Sequence, residues 1–175
     1  LQEVPYDLEP AGAAQVVLQV FSLSAGAEAA SARFPALLEA LDALMDGRAE
    51  ADGLNRLVLR AGLTWRECWL LRMMSRWLKQ AGSAFSQTSI AAALAAHPAA
   101  ARILIDLFHI RFEPGRTSRD EAALDSAWAA LLDGVANPDE DRILARLMTL
   151  LRAVLRTNFY QDKPYLALKI DSAAA

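Results

Sequence analysis

Cysteine is nearly absent. Cys68 stands alone among 175 residues, which rules out an internal disulfide and suits a reducing compartment. Histidine is almost as scarce: His97 and His109, with that one cysteine, are too few for a structural zinc site. An excess of positive charge is missing too. A formal net charge of −3 gives no overall attraction to nucleic acid or to an anionic lipid surface. The glycines, from Gly12 to Gly134, never fall in a G-x-G-x-x-G or G-x-x-x-x-G-K order, so no phosphate-cradling loop is recognisable. Long apolar runs are also lacking. The uncharged stretch from Pro10 to Ala27 is interrupted by Gly12, Gln15, Gln19, Ser22 and Ser24 and is too polar for a spanning helix. No basic start precedes an apolar core, as a signal peptide requires.

What remains is a helical pattern, and it begins at Ala27. Phe34, Leu37, Leu38, Leu41, Leu44 and Met45 recur at helical spacing, Pro35 sits near the start, and Gly47 marks the stop. A short helix follows from about Leu54 to Arg60. Thr64-Trp65-Arg66-Glu67 is a capping box, in which hydroxyl and carboxylate each satisfy an orphan amide. It opens a helix to about Gln80 with an apolar face of Trp65, Cys68, Trp69, Met73 and Trp77, while Arg66, Arg72, Arg76 and Lys79 point mostly elsewhere. Ser86 caps a helix from Gln87 to Ala96. Pro98 ends it and begins the next, which carries Ile103, Leu104, Leu107 and Phe108. Ser118-Arg119-Asp120-Glu121 reads as a second capping box, for a helix ending at Gly134. Asn137-Pro138-Asp139-Glu140-Asp141 is a strong helix start: Asn caps, Pro fills the first turn and three acids oppose the dipole. The helix it opens is predicted to run to about Thr157, with a face from Ile143 to Leu155 wide enough for burial on more than one side.

The expected fold class is mainly α: an irregular helical domain of about six or seven helices with short marginal strands at both ends. Leu1 to Pro10 reads as irregular, and Gln15 to Leu23 has strand character. Tyr165 to Ile170 is a strand-compatible run bounded by Pro164 and Asp171. It is expected to pair with Gln15 to Leu23, with another copy of the chain, or with nothing. An unpaired edge is a template for association, so concentration-dependent association is expected. The chain starts at Leu1 rather than Met and ends beside a strand without a sheet, which reads as a piece of a larger protein.

Residues that could carry chemistry each have a structural alternative. Cys68, between two tryptophans on an apolar face, reads as a buried structural thiol rather than a nucleophile. His97 reads as a helix-terminal residue, and His109 sits in a helix beside Phe108 and Ile110. Asp139, Glu140 and Asp141 are explained by the helix dipole without a metal. Arg142 and Arg146 share a helical face, as do Arg152 and Arg156; each pair is either a solvated face or a contact surface for a neighbouring domain. Trp65, Trp69, Trp77 and Trp128 read as core packing, with some left as an exposed patch. No catalytic, cofactor-binding or metal-binding residue is assigned.

Several blocks, taken in order, resemble the large bacterial NAD-specific glutamate dehydrogenases. They are Asp46-Gly47-Arg48-Ala49-Glu50, Asn55-Arg56-Leu57-Val58-Leu59, Ala61-Gly62-Leu63-Thr64-Trp65-Arg66-Glu67 and Leu107-Phe108-His109-Ile110-Arg111-Phe112. Nearer the C-terminus come Leu132-Asp133-Gly134-Val135, Asp139-Glu140-Asp141-Arg142-Ile143-Leu144, Leu155-Arg156-Thr157-Asn158-Phe159-Tyr160-Gln161, Lys163-Pro164-Tyr165-Leu166 and Lys169-Ile170-Asp171-Ser172. The resemblance runs from Arg33 to Ser172. It implies a helical segment just before a catalytic module whose substrate-binding lysines and nicotinamide fold follow it. It further implies residues 1–30 as the end of an upstream α+β regulatory-type domain or a linker, 31–162 as the helical domain, and 163–175 as the truncated first strand of the catalytic domain.

The function so implied is a non-catalytic scaffold within an enzyme that oxidises L-glutamate to 2-oxoglutarate and ammonia. NAD would be the cofactor of that parent, with none held by this segment. Partners would be the adjacent domains and further copies of the chain, without nucleic acid or membrane, in the cytoplasm. Two alternatives belong to other classes. One is a free-standing helical interaction module. The other is a helix-turn-helix regulator built on Trp65–Gln80 and Ser86-Gln87-Thr88-Ser89-Ile90. The second lacks a basic footprint, with no Lys or Arg between Ser86 and Arg102.

Overall fold

The computed structural model describes residues 2–7, 17–22, 27–118 and 120–174, and the chain divides into two units, Leu1–Ala32 and Arg33–Ala175. In the first unit, strand β1 (Gln2–Asp7) pairs antiparallel with β2 (Val17–Ser22), in a register from Gln2 opposite Ser22 to Asp7 opposite Val17. The expected irregular start is therefore a strand, and the strand expected within Gln15–Leu23 finds its partner there.

Helix α1 (Ala27–Met45) carries Pro35 in its interior rather than near its start. Its end is set by Gly47 at φ +70°, a left-handed conformation that lets the Arg48 amide return 2.8 Å to the Ala43 carbonyl. A 3-10 turn at Gly53–Asn55, with the Leu54 amide held by Asp52, leads into α2 (Arg56–Arg60). Helix α3 (Trp65–Gln80) opens on the expected capping box: Thr64 Oγ1 accepts from the Glu67 amide at 3.2 Å, and Glu67 Oε2 accepts from the Thr64 amide at 2.7 Å. Helix α4 (Gln87–Ala96), capped by Ser86, and α5 (Pro98–Phe112) meet at His97. Helix α6 (Ala122–Asp133) begins later than the second capping box predicted, because Asp120, rather than Ser118, takes the Ala122 amide at 2.9 Å. Helix α7 (Pro138–Ala153) starts on the Asn137 cap.

The second unit buries one core, with α3, α4, α5 and α7 packed on one another and α6 against α5. The buried side of α3 shares Cys68 with the expected face and otherwise differs. Trp65, Trp69, Met73 and Trp77 are only half-buried, while Cys68, Leu70, Leu71, Met74 and Leu78 form the core face. Arg72, placed with the outward-facing cations, is also buried.

Helix α7 stops at Ala153, four residues before the predicted end. Arg111 donates to the Leu151 carbonyl at 2.9 Å, and the Asp171 amide donates to the Ala153 carbonyl at 2.9 Å. Both acceptors are thereby occupied from outside the helix. The chain instead extends as β3 (Val154–Thr157), which pairs antiparallel with β4 (Leu168–Ile170), with an irregularity between Val154 and Arg156. Asn158 closes the connection, donating to the Tyr165 carbonyl and accepting from the Ala167 amide. The C-terminal strand thus neither pairs with residues 15–23 nor stays unpaired; it pairs with residues expected to be the end of a helix. Among the described residues the chain is mainly α, with seven helices, and no single helix is long and apolar enough to cross a membrane.

Candidate functional site

The polar side chains that reach across the helical unit gather where α3 and α5 meet the residues after β3. Glu67, introduced by its capping role, is 7% exposed and uses its two oxygens differently. Oε2 closes the helix cap, and Oε1 lies 2.7 Å from His109 Nε2. A carboxylate only accepts, so Nε2 carries a proton. His109 Nδ1 then lies 2.6 Å from the Tyr160 hydroxyl, which a singly protonated ring accepts as a donor. Arg102 stands 3.6 Å from Glu67 Oε1 and 2.7 Å from Asp106, with its Nε buried and without a hydrogen-bond partner. Burial pushes the Glu67 carboxyl up, but the bonds from His109 and the Thr64 amide, with the Arg102 charge, outweigh it and hold the group below its ordinary range. Burial, reinforced by the Glu113 charge, pushes the Tyr160 hydroxyl up.

A cleft of about 450 Å³, lined by Asp106, His109, Ile110, Glu113, Arg116 and Leu124, reaches this cluster. Both nitrogens of His109 and both oxygens of Glu67 are already engaged. The arrangement ties α3, α5 and Tyr160 together as a hydrogen-bonded clamp.

Four further contacts join α3, His97 and α5 to α7 and the residues after β3. Arg66 donates to the Phe159 carbonyl and to Asp162, each at 3.1 Å. His97 lies 2.7 Å from Glu140, and Arg111 holds the Leu151 carbonyl. A separate pair ties α3 to the loop before α2: the buried Arg72 bonds the more exposed Asp52 at 2.5 and 2.8 Å and Asn55 at 3.0 Å. Burial pushes the Asp52 carboxyl up, but Arg72 overrides it and lowers it. Sequence reading missed both clusters, because Glu67 is explained locally as a cap, Asp52 carries no signal of its own, and their partners lie far along the chain.

The remaining residues singled out from sequence are placed as follows. Trp65 and Trp69 stack at 6.1 Å, with the Arg66 guanidinium over both rings and that of Arg48 over Trp65. With Asp162, Lys163 and Pro164 they line a cleft of about 530 Å³. Trp128 is buried and Trp77 half-buried. Arg142 faces Asp139 at 3.7 Å and Arg152 bonds Asp125 at 2.6 Å, all four of them well exposed. Arg146 and Arg156 are exposed, and Arg146 borders a cleft with Trp77 and Thr149. Among the described residues no three His, Cys, Asp or Glu side chains are placed to hold a metal.

Cys68 is 0% exposed, and burial raises its thiol from 9.0 to about 12. A thiol reagent applied near pH 8 is expected to modify the native protein roughly a thousandfold more slowly than the urea-unfolded chain, since both thiolate fraction and access are suppressed. Comparable rates would show the site open. Because this group is favoured neutral in the fold, its contribution to stability is complete below pH 9.0 and is lost as pH rises toward 12.

Helix N-termini are the usual seats for phosphate, and those of α3, α4, α6 and α7 are filled from within. The starts of α3, α4 and α6 are closed by Glu67, Ser86 and Asp120, and that of α7 by Asn137 with three acids that repel an anion.

Residues 49–114 match the family model described as glutamate dehydrogenase, helical motif 3, and residues 127–175 match that of the bacterial NAD-glutamate dehydrogenase catalytic domain. The chain is 41% identical over 145 residues to the NAD-specific glutamate dehydrogenase of Mycobacterium tuberculosis, covering 77% of this chain and 9% of that protein. The corresponding enzymes of Halomonas elongata and Pseudomonas aeruginosa are 40% and 42% identical, over 77% and 79% of this chain and again 9% of each relative. The chain thus spans about 9% of the length of these relatives. It belongs to the bacterial NAD-specific glutamate dehydrogenase family.

Proposed function

We propose that residues 33–175 act as a non-catalytic scaffold of an NAD-dependent glutamate dehydrogenase, holding the segment akin to its catalytic domain against a helical motif. The observation that carries this reading is the continuity of the core across the two matched segments. Leu57, Leu71 and Leu104 from one segment share a core with Leu144, Leu147 and Phe159 from the other. The Glu67–His109–Tyr160 bridge, Arg66, Arg111 and the His97–Glu140 pair cross between the same segments. Without the first segment, α7 would present Leu144, Leu147 and Leu151 to water.

The parent reaction in this proposal is oxidative deamination of L-glutamate to 2-oxoglutarate and ammonia, with NAD taking the hydride at a site elsewhere in the polypeptide. Residues 1–30 would close an upstream regulatory-type domain, and 163–175 would lead into the catalytic sheet. Neighbouring domains and further copies of the chain would be its partners, in the cytoplasm.

The test is glutamate-dependent NADH formation by the complete enzyme and by a version lacking residues 33–126. The expected result is loss of most activity together with loss of soluble, cooperatively melting protein. A truncated enzyme turning over at the parental rate would remove the scaffold reading.

A further inference from the structure

The outer face of α1 is apolar, although its inner face already supplies the core. Ala40 and Ala43 are buried, and Ala36 and Leu37 pack against the same cluster. On the outside, Phe34, Leu38, Leu41 and Met45 are 40–83% exposed; the only other large exposed hydrophobic side chains among the described residues are Leu155 and Tyr165. Their spacing is four, three, four. That is the repeat of a helix–helix seam rather than of a face turned to a globular core.

The seam is also its own inverse. Turning a second copy end for end about the midpoint between Glu39 and Ala40 sets Phe34 on Met45 and Leu38 on Leu41, so every layer is filled. The same inversion sets Arg33 across from Asp46. Acids lie toward one end of the seam, at Glu39, Asp42 and Asp46, while Arg33 stands at the other. Antiparallel pairing therefore brings unlike ends together, where parallel pairing would crowd the acids. Arg33 donates one N–H to the Leu59 carbonyl and keeps others for a neighbour.

We propose that α1 is an interaction surface for a second copy of this chain, docked antiparallel along Phe34, Leu38, Leu41 and Met45 about a two-fold axis. Four side chains per copy bury less than the roughly 1,200 Å² of a standard stable complex. The contact is thus reversible in the isolated chain, and its population rises with concentration. This inference stands apart from the scaffold proposal, since it uses neither the catalytic module nor its activity.

The test uses single-cysteine substitutions in the 175-residue chain, where Cys68 is buried and does not compete. Phe34→Cys and Met45→Cys are each oxidised alone and then mixed. In the antiparallel pair, like positions lie eleven residues apart along the axis, roughly 16 Å, beyond disulfide reach. Phe34 and Met45 of opposite copies share a layer. The mixture is expected to give roughly tenfold more disulfide-linked dimer than either variant alone. Sedimentation should show mass rising with concentration, and Leu41→Lys should abolish both effects while leaving the melting temperature unchanged. Met45→Cys cross-linking to itself as readily as in the mixture would overturn the antiparallel pairing. A monomer at every concentration with no mixed disulfide would overturn the proposal and assign the seam to a different segment or partner.

Discussion

Phe108→Ala is expected to lower the unfolding free energy of the helical unit by about 4 kcal/mol, a Phe-to-Ala loss in a site that cannot collapse. Phe108 is 0% exposed on α5 and lies at the centre of an aromatic cluster. Its ring centre is 5.1 Å from Phe112, 5.2 Å from Phe159 in an edge contact and 6.2 Å from Tyr160. Two of those rings come from the short 3-10 turn after β3, Phe159–Gln161. Removing Phe108 therefore opens a cavity where the C-terminal segment is held to the bundle. A loss of that size is a large part of the ~5–15 kcal/mol of a typical domain. It should lower the melting temperature by roughly 10 °C. Phe108→Leu keeps most of the volume and should cost about 1.5 kcal/mol or less. Urea unfolding followed by circular dichroism measures both; a loss under about 1 kcal/mol for the alanine variant would mean that the cluster contributes little.

The elements that sequence predicts well are those whose signals are local. Thr64 and Glu67 are three residues apart, and Asn137 with Pro138 is contiguous, so caps and helix starts follow directly from residue type. The elements that differ are fixed by residues distant in the chain. Nothing in Val154-Leu155-Arg156-Thr157 forbids helix. The stop is imposed by Arg111, 40 residues earlier, and by Asp171. Strand β1 contains Pro5, which argues against a strand unless a partner such as β2 is known. On α3 the evenly spaced Trp65, Trp69, Met73 and Trp77 form a row that drifts around the helix, while burial follows Cys68, Leu71, Ser75 and Leu78. The clamp at His109 was half legible. Its family block was recognisable, but the bridge joins Glu67 and Tyr160 from 42 and 51 residues away. Only packing brings them together.

That bridge gives the second large effect, and its pH dependence separates it from ordinary packing. Glu67→Ala removes the reciprocal half of the α3 cap, worth about 1 kcal/mol. It also leaves the His109 Nε2–H and the Arg102 guanidinium without their shared acceptor, at about 1–3 kcal/mol for a buried donor. The expected loss at pH 7 is about 3 kcal/mol, combining those two terms. In the fold, the His109 and Thr64 bonds and the Arg102 charge overcome the upward push of burial and hold the Glu67 carboxyl below its ordinary 4.5. The unfolded chain therefore takes up the proton first as the solution is acidified. The contribution of Glu67 is complete above pH 4.5 and is lost as pH falls through the lowered value in the fold. Asp52, lowered from 3.8 by Arg72 against the upward push of burial, adds a similar loss at more acid pH in both proteins. Glu67→Gln keeps the shape and an acceptor but does not titrate. Wild type should accordingly lose stability more steeply than Glu67→Gln below pH 4.5, and the gap between them should narrow toward acid. Unfolding curves collected from pH 7 to pH 3 decide the matter. If the two proteins run parallel over that range, the carboxylate is not what ties α3 to α5 and Tyr160, and the clamp is packing alone.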